Sequence, residues 1–412
     1  MRGHRRTGIA FASLALLVAV VAMPHAAIAQ VADRKNHYIL ECDDDCVGTV
    51  AVETAIGSPK GIATDADGNV YFSSQNIVFK LRTDGSLVRF AGTGEPGYSG
   101  DGGSARRARL NIPLSYPEQT GDDIMLDYPP LAGGIAVDRD GTVYIADSYN
   151  SRVRRVGTDG RITTVADALG TPIGAGRVQS VAIDGIGNLY FGGFRRHASG
   201  VVEQAIPGSC AAHETEAGAC GLEQVAVDNS GAVYFSDTLC RVRKWDAIVG
   251  AVTVVGYWPW WVPPGYQCGY AGDGGAAASA RAKAPYGVAI DADDQVYFTD
   301  VATHCVRKVD RAGIITRVAG VCRPVSPSYW GWWMGDRDIP FEGDDGPATS
   351  AQFSRPMGVA VDRRGNVYIS DTDHMRVRKV TPDGIITTVA GNGRPLPATA
   401  TVDATGSATL PD

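Results

Sequence analysis

The chain has 412 residues, of which 44% are hydrophobic and 20% charged, with 51 glycines and a formal charge of −7. Glycine at about 12%, against a usual ~7%, with near-average charge and ample apolar content, excludes long disorder, collagen, coiled coil and a multi-span membrane protein. The acidic balance repels phosphate backbones, and the Lys and Arg residues are scattered along the chain, so nucleic-acid binding is not expected.

The first 29 residues read as an export signal. Arg2, Arg5 and Arg6 precede an apolar run from Ile9 to Met23, and Ala27-Ile28-Ala29 forms a small-residue cleavage site before Gln30. The Arg5-Arg6 pair leaves a twin-arginine route open. Cleavage near Ala29 takes away three arginines and no acids, which leaves a formal −10. No later stretch reaches the ~18 consecutive apolar residues of a spanning helix, so the mature protein is expected to be secreted or periplasmic with no membrane span.

All eight cysteines, Cys42, Cys46, Cys210, Cys220, Cys240, Cys268, Cys305 and Cys322, lie beyond that signal. An even number in an oxidising compartment favours disulfides. The pairing is not fixed by sequence. Repeat register makes Cys240 with Cys268 and Cys305 with Cys322 structural analogues, leaving Cys42 with Cys46 and Cys210 with Cys220 as local loops. Metal thiolates or redox chemistry, the alternative, lack any C-x-x-C.

Residues 30–47 form a lead-in to a region of internal repeats at 48–393, and an Ala/Thr/Pro-rich tail follows at 394–412. Six segments share an apolar strand ending in Asp, a turn, a strand around Tyr, a polar loop and a strand alternating Val with Arg. They occupy 61–74, 134–156, 180–193, 224–245, 287–309 and 358–380. Period-2 alternation with Asp-x-x-Gly between strands marks hairpins. The equivalent aspartates, Asp65, Asp138, Asp184, Asp228, Asp291 and Asp362, are spaced 73, 46, 44, 63 and 71 apart. A bare unit of ~45 residues carrying four strands is a propeller blade. The expected fold is therefore all-β, a six-bladed β-propeller of four-stranded antiparallel blades around a central channel. Blade 3 departs most, lacking the Asp-loop-Arg pattern after Tyr190. Strand-like residues 48–57 resemble the outer strand of blade 6 at 385–391, and either would complete the last blade.

These repeats resemble NHL repeats, in the form that carries GDGG linkers, over about residues 50–393. The resemblance implies a binding platform in many members, while related six-bladed propellers include lyases and lactonases. Blade 5 is similar to a blade of the peptidyl α-hydroxyglycine amidating lyase, whose zinc histidines sit just before the first apolar position of the blade. The matching positions here are Lys60, Gly133, Gln179, Glu223, Tyr286 and Met357. None is histidine, so that zinc site does not carry over. The ring nevertheless holds a candidate catalytic set, Lys60, Glu223 and Tyr286, with Lys60 and Glu223 expected on opposite sides of the channel mouth.

Three linkers, at 97–113, 269–285 and 341–356, contain a glycine-acid cluster. Asp101, Asp273, Asp344 and Asp345 would either serve a cation or substrate hydroxyls, or cap a turn that sets the gap between blades; the second reading accounts better for their recurrence. Six of the seven tryptophans fall in two insertions, at 257–266 and 329–340, each directly after the outer strand of blade 4 or 5. Tyr257, Trp258, Trp260 and Trp261, with Tyr329, Trp330, Trp332 and Trp333, form either an aromatic ligand platform or a mini-core. Three histidines, His197, His304 and His374, are expected in the same loop after the second strand of blades 3, 5 and 6, where a shared divalent metal or a general base competes with an ordinary surface role. No cofactor is otherwise expected.

Two functions follow. One is a module binding a glycan, peptide or protein through its loop-rich face. The other is a lyase or hydrolase acting at the channel mouth on a carbohydrate, peptide or lactone.

Overall fold

Alternation of side chains in a strand places apolar residues on both faces when every second residue is large and its neighbours are also apolar, and such a sheet must be covered on both sides. The second strands show this. In a computed structural model, which describes residues 49–112, 133–167, 178–206, 222–237, 240–246, 248–256, 268–323 and 339–396 and short strands at 401–402 and 408–409, they are buried apart from the half-buried Tyr144. Val70 and Phe72 face one neighbouring blade while Tyr71 faces the other; Val367 and Ile369 divide from Tyr368 in the same way. Each gap between blades is thus a core filled from two sheets.

Six antiparallel sheets result. Blade 1 holds Ile62–Thr64, Val70–Ser74, Ile77–Leu81 and Ser86–Ala91. Blade 2 holds Ile135–Val137, Val143–Asp147, Arg152–Val156 and Ile162–Asp167. Blade 3 is shorter, with Ala182–Ile183, Leu189–Phe191, Phe194–Arg196 and Val202–Gln204. Blade 4 holds Leu222–Val227, Val233–Asp237, Arg241–Asp246 and Gly250–Val255. Blade 5 holds Pro285–Ile290, Val296–Asp300, Cys305–Val309 and Ile315–Ala319. Blade 6 holds Pro356–Val361, Val367–Asp371, Arg376–Val380 and Ile385–Ala390. First strands touch in the order 1, 2, 3, 4, 5, 6 and back to 1, so they surround one axis and the ring is closed. Their close approach requires glycine: a Cβ on Gly61 would lie 2.0 Å from the Gly133 carbonyl oxygen, and one on Gly358 would lie 2.1 Å from that of Lys60.

The Asp-x-x-Gly turns consume their aspartates locally. Asp65 Oδ1 accepts the Asp67 and Asn69 backbone N–H groups, and Oδ2 accepts Asn69 Nδ2 at 2.8 Å and the Tyr71 hydroxyl at 3.3 Å. Asp184, Asp291 and Asp362 repeat the arrangement. Turn and sheet are thereby welded by the same Tyr that fills the next core. Burial, then the nearby Asp362 carboxylate, pushes the Tyr368 phenol up to about 12.

The linkers join blades at the outer rim. Gly92, Gly256 and Gly320, at the ends of outer strands, donate to Ala105, Ala277 and Ala348 in short 3-10 turns of the following linker. Residues just before those turns pair with the outer strand of the next blade, as in Ser104 with Arg161 and Gly346–Pro347 with Ile385 and Ile386. The same device closes the ring. Gly391 donates to Ala51 at 2.9 Å in the 3-10 turn Ala51–Glu53, while Thr49–Val50 pairs with Ser86 and Leu87 of blade 1. Blade 6 therefore completes itself with its own outer strand. Residues 49–53 act as a sixth linker instead of supplying a strand to it.

Linker aspartates are held by arginines. Arg154, Arg307 and Arg378 on the third strands of blades 2, 5 and 6 are fully buried. Arg307 reaches Asp273 at 2.6 Å and the carbonyls of Arg281 and Ala271; Arg378 reaches Asp344 at 2.7 Å; Arg154 reaches Asp101 at 2.8 Å. On their other side stand Asp147, Asp300 and Asp371, the last residues of the second strands. An aromatic ring three residues before each linker Asp, Tyr98, Tyr270 or Phe341, stacks on the guanidinium. Blade 1 has Phe79 at this position and Ser74 in place of the strand-end Asp, so it exchanges the ionic network for apolar packing.

Candidate functional site

Antiparallel hairpins alternate the ends of a blade. The start of the first strand, the loop between second and third strands and the end of the outer strand share one face; the turns between first and second and between third and outer strands share the opposite face. The channel-mouth positions sit on the first of these faces. Lys60 and Tyr286 are 4% and 2% exposed, and Met357 is buried beside Tyr286 with Ala284, Val301 and Ala302. Gln224 Nε2 donates to the Tyr286 hydroxyl at 3.3 Å. Gln179 is half-buried and Gly133 buried. Glu223 lies in the first strand of blade 4, and its side chain is outside the described residues.

The neighbours of Lys60 come from blade 6. Arg355 and Asp373 form a bidentate pair, Nε to Oδ2 at 2.5 Å and Nη2 to Oδ1 at 2.8 Å. Burial first, and then the Arg355 charge, lower the Lys60 ammonium to about 7 against the opposing pull of Asp373. The Thr372 hydroxyl donates to the Pro59 carbonyl at 2.7 Å, which ties this loop to the lysine's own segment. On the far side of Arg355, its backbone N–H donates to His304 Nδ1 at 3.1 Å. A polar arc of His304, Arg355, Asp373 and Lys60 therefore crosses blades 5, 6 and 1, next to the apolar wall of Tyr286 and Met357.

The three histidines are not equivalent. His304 and His374 do lie in loops between second and third strands, but His197 follows the third strand of blade 3, in the turn that leads to the outer strand. The reason is the Gly192-Gly193 turn, with φ of 51° and 83°, which joins the second and third strands through two residues and leaves no polar loop. His197 is thus on the opposite face, where it contacts Glu203 at 3.2 Å. His374 places Nδ1 2.9 Å from Asp371 and Nε2 2.7 Å from the Ile339 carbonyl. Both partners are acceptors, which suits the imidazolium. Burial opposes that charge, yet the Asp371 hydrogen bond and carboxylate outweigh it and the pKa is raised. A shared metal on His197, His304 and His374 does not fit this placement, and no group of three metal-capable side chains occurs among the described residues.

Two disulfides anchor blades 4 and 5. Cys240 joins Cys268 across 5.6 Å between Cα atoms, and Cys305 joins Cys322 across 5.0 Å. Cys240 and Cys305 lie where the second strand passes to the third, on the mouth face; Cys268 and Cys322 follow the outer strands. The tryptophan-rich insertions that contain Trp258, Trp260, Trp261, Trp330, Trp332 and Trp333, with Tyr257 and Tyr329, lie outside the described residues, as do Cys42, Cys46, Cys210 and Cys220. Their flanks do not: the first insertion begins after Gly256 and ends before Cys268, and the second follows Cys322. Sequence reasoning missed Arg355 and Asp373; an Arg-Pro dipeptide at the opening of the first strand would have signalled Arg355.

Comparison with known proteins gives the teneurin NHL domain as a matching family description over residues 262–327 and 334–407, and the NHL repeat over residues 131–156. Among curated proteins, teneurin-1 of Gallus gallus is 24% identical over 276 residues, covering 64% of this chain and 8% of that protein. Teneurin-3 of Mus musculus is 24% identical over 349 residues, covering 70% and 11%. The chain spans about a tenth of the length of these relatives. Among solved structures, a protein of unknown function from Bacteroides thetaiotaomicron is similar with a TM-score of 0.53 at 18% identity, covering 82% of this chain and 73% of that one. An auxiliary nutrient binding protein from the same organism has a TM-score of 0.50 at 16% identity, covering 84% and 71%.

Proposed function

Because the chain belongs to the NHL-repeat family of six-bladed β-propellers, we propose that it is a secreted or periplasmic binding module that takes a glycan, peptide or protein on its mouth face without turnover. The observation that carries this reading is the position of the disulfides. Cys240–Cys268 and Cys305–Cys322 fix the flanks of both tryptophan-rich insertions, on neighbouring blades, to the same face as the polar arc around Lys60. Ordering a loop in advance removes part of the entropic cost of binding, and aromatic rings give contact area with few rotatable bonds. The disulfides also agree with an oxidising compartment, and no helix among the described residues is long and apolar enough to cross a membrane.

Replacing Trp260, Trp261, Trp332 and Trp333 together by Ala is expected to abolish ligand binding while circular dichroism and thermal unfolding stay those of a folded propeller. Undiminished affinity would refute this surface. One observation favours a second reading, a lyase or hydrolase at the mouth: Lys60, lowered to about 7, holds a substantial neutral fraction near neutral pH and would serve as a base, with Tyr286 and Glu223 as partners. Product formation that disappears in Lys60→Met would establish it.

A further inference from the structure

One cavity among the described residues stands apart from the channel mouth. It lies between blades 6 and 1, at the seam where the two ends of the ring meet, and has a volume of 510 Å³. Its inner wall is apolar, formed by Val70 and Leu81 of blade 1 and Val389 and the Tyr368 ring of blade 6. Val50 in the closing segment adds an exposed apolar side chain to the rim, 55% accessible.

Charge at the outer end of this groove is unusual for an acidic protein. Arg82, Arg364 and Lys379 line it, and among the described residues none of the three side chains makes a hydrogen bond or an ion pair, although the Lys379 ammonium lies 6.0 Å from the Tyr368 ring centroid. The comparison with other blades is direct. Lys80 and Lys244, on the third strands of blades 1 and 4, reach their turn aspartates at 3.8 and 3.3 Å, whereas Lys379 makes no such pair with Asp362. Two acids also line the groove, but both already accept hydrogen bonds. Asp362 is used by its own turn, and Asp84 receives the Ser86 backbone N–H at 2.8 Å. The lining is left with a formal excess of one positive charge in a chain of −7.

We propose that this seam groove binds an amphipathic carboxylate, with an alkyl or aryl tail against Val70, Leu81 and Val389 and the carboxylate facing Arg82, Arg364 and Lys379. The volume is in the range of small-molecule sites, and a groove with an apolar wall and a few convergent polar groups is their usual form. Cationic side chains at its rim that are held in no ion pair supply the specificity that an apolar wall lacks.

Titration calorimetry of the full mature chain with decanoate and with decan-1-ol tests this. Decanoate is expected to bind saturably with one site, more weakly at high salt, and decan-1-ol to bind far less. Arg364→Glu with Lys379→Glu should weaken decanoate about tenfold or more. Arg82→Gln, on an exposed turn, provides a second variant whose thermal unfolding should match the parent and whose affinity should still fall. Absence of saturable decanoate binding, equal binding of the alcohol, or unchanged affinity in folded variants would overturn the assignment.

Discussion

At the scale of single residues, the buried arginines carry the most consequence. Arg307 has no exposure and lies between Asp273 and Asp300, so removing it leaves the fully buried Asp300 carboxylate without its cation and takes the partner from Asp273, which is 22% exposed. Breaking a buried pair from one side costs about 3–5 kcal/mol, and Arg307→Met is expected to lose stability of that order in urea unfolding. His374 sets a pH dependence. Its folded pKa is raised above the ordinary 6.5, so its contribution is complete below that value and is lost as pH rises through the folded pKa. Stability of the parent should therefore fall across that window, and His374→Gln should flatten the profile. The linker aspartates could not be assigned from their own motif. Their partner, the Arg of the third strand, lies 34 residues away in blades 5 and 6, and the joint loss of Arg and strand-end Asp, at Phe79 and Ser74 in blade 1 and at Phe194 and Gly193 in blade 3, marks them as one unit.

At the scale of elements, strands and turns were legible because their signals are local. Asp-x-x-Gly needs a positive φ at the glycine and an acceptor at the aspartate, and Val-Tyr alternation needs two apolar faces; both follow from neighbours within about six residues. Blade 3 was less legible because a two-residue glycine turn replaces the polar loop, and residue counting from Tyr190 then carries His197 past the third strand to the other face. Disulfide register was legible for blades 4 and 5, since the repeat aligns Cys240 with Cys305 to within one position of the same loop. Each closes a loop of 28 or 17 residues, and a cross-link of this span is worth about 3 kcal/mol. Cys240→Ser with Cys268→Ser should lower stability by that order and increase amide exchange at the end of the Gly250–Val255 strand before the rest of blade 4.

At the scale of the whole molecule, ring closure depends on a short segment. Sequence left two candidates for the final strand because residues 48–57 and 385–391 have the same apolar pattern, and pattern alone does not distinguish a strand from the linker that follows one. Structure resolves this through Gly391, Asn392 and Ala51: the backbone groups after blade 6 are satisfied by the segment before blade 1. Ala51 is 1% exposed, so Ala51→Glu buries an uncompensated charge at that seam. Hydrogen exchange should then rise first in blades 1 and 6, with blades 3 and 4 protected; uniform loss of protection would mean that closure is not a separable element.

The proposed function is binding at the mouth face without turnover, and on that proposal the six tryptophans of the two insertions would report on it directly. The deciding measurement is a titration of the protein against a mixed panel of polysaccharides, peptides and lactones, with tryptophan fluorescence and mass-spectrometric product detection in the same wells. A saturable fluorescence change with no product, lost when Trp260, Trp261, Trp332 and Trp333 are replaced by Ala, is the predicted result. New product that persists in the tryptophan variant and vanishes in Lys60→Met would contradict it and make the channel mouth an active site.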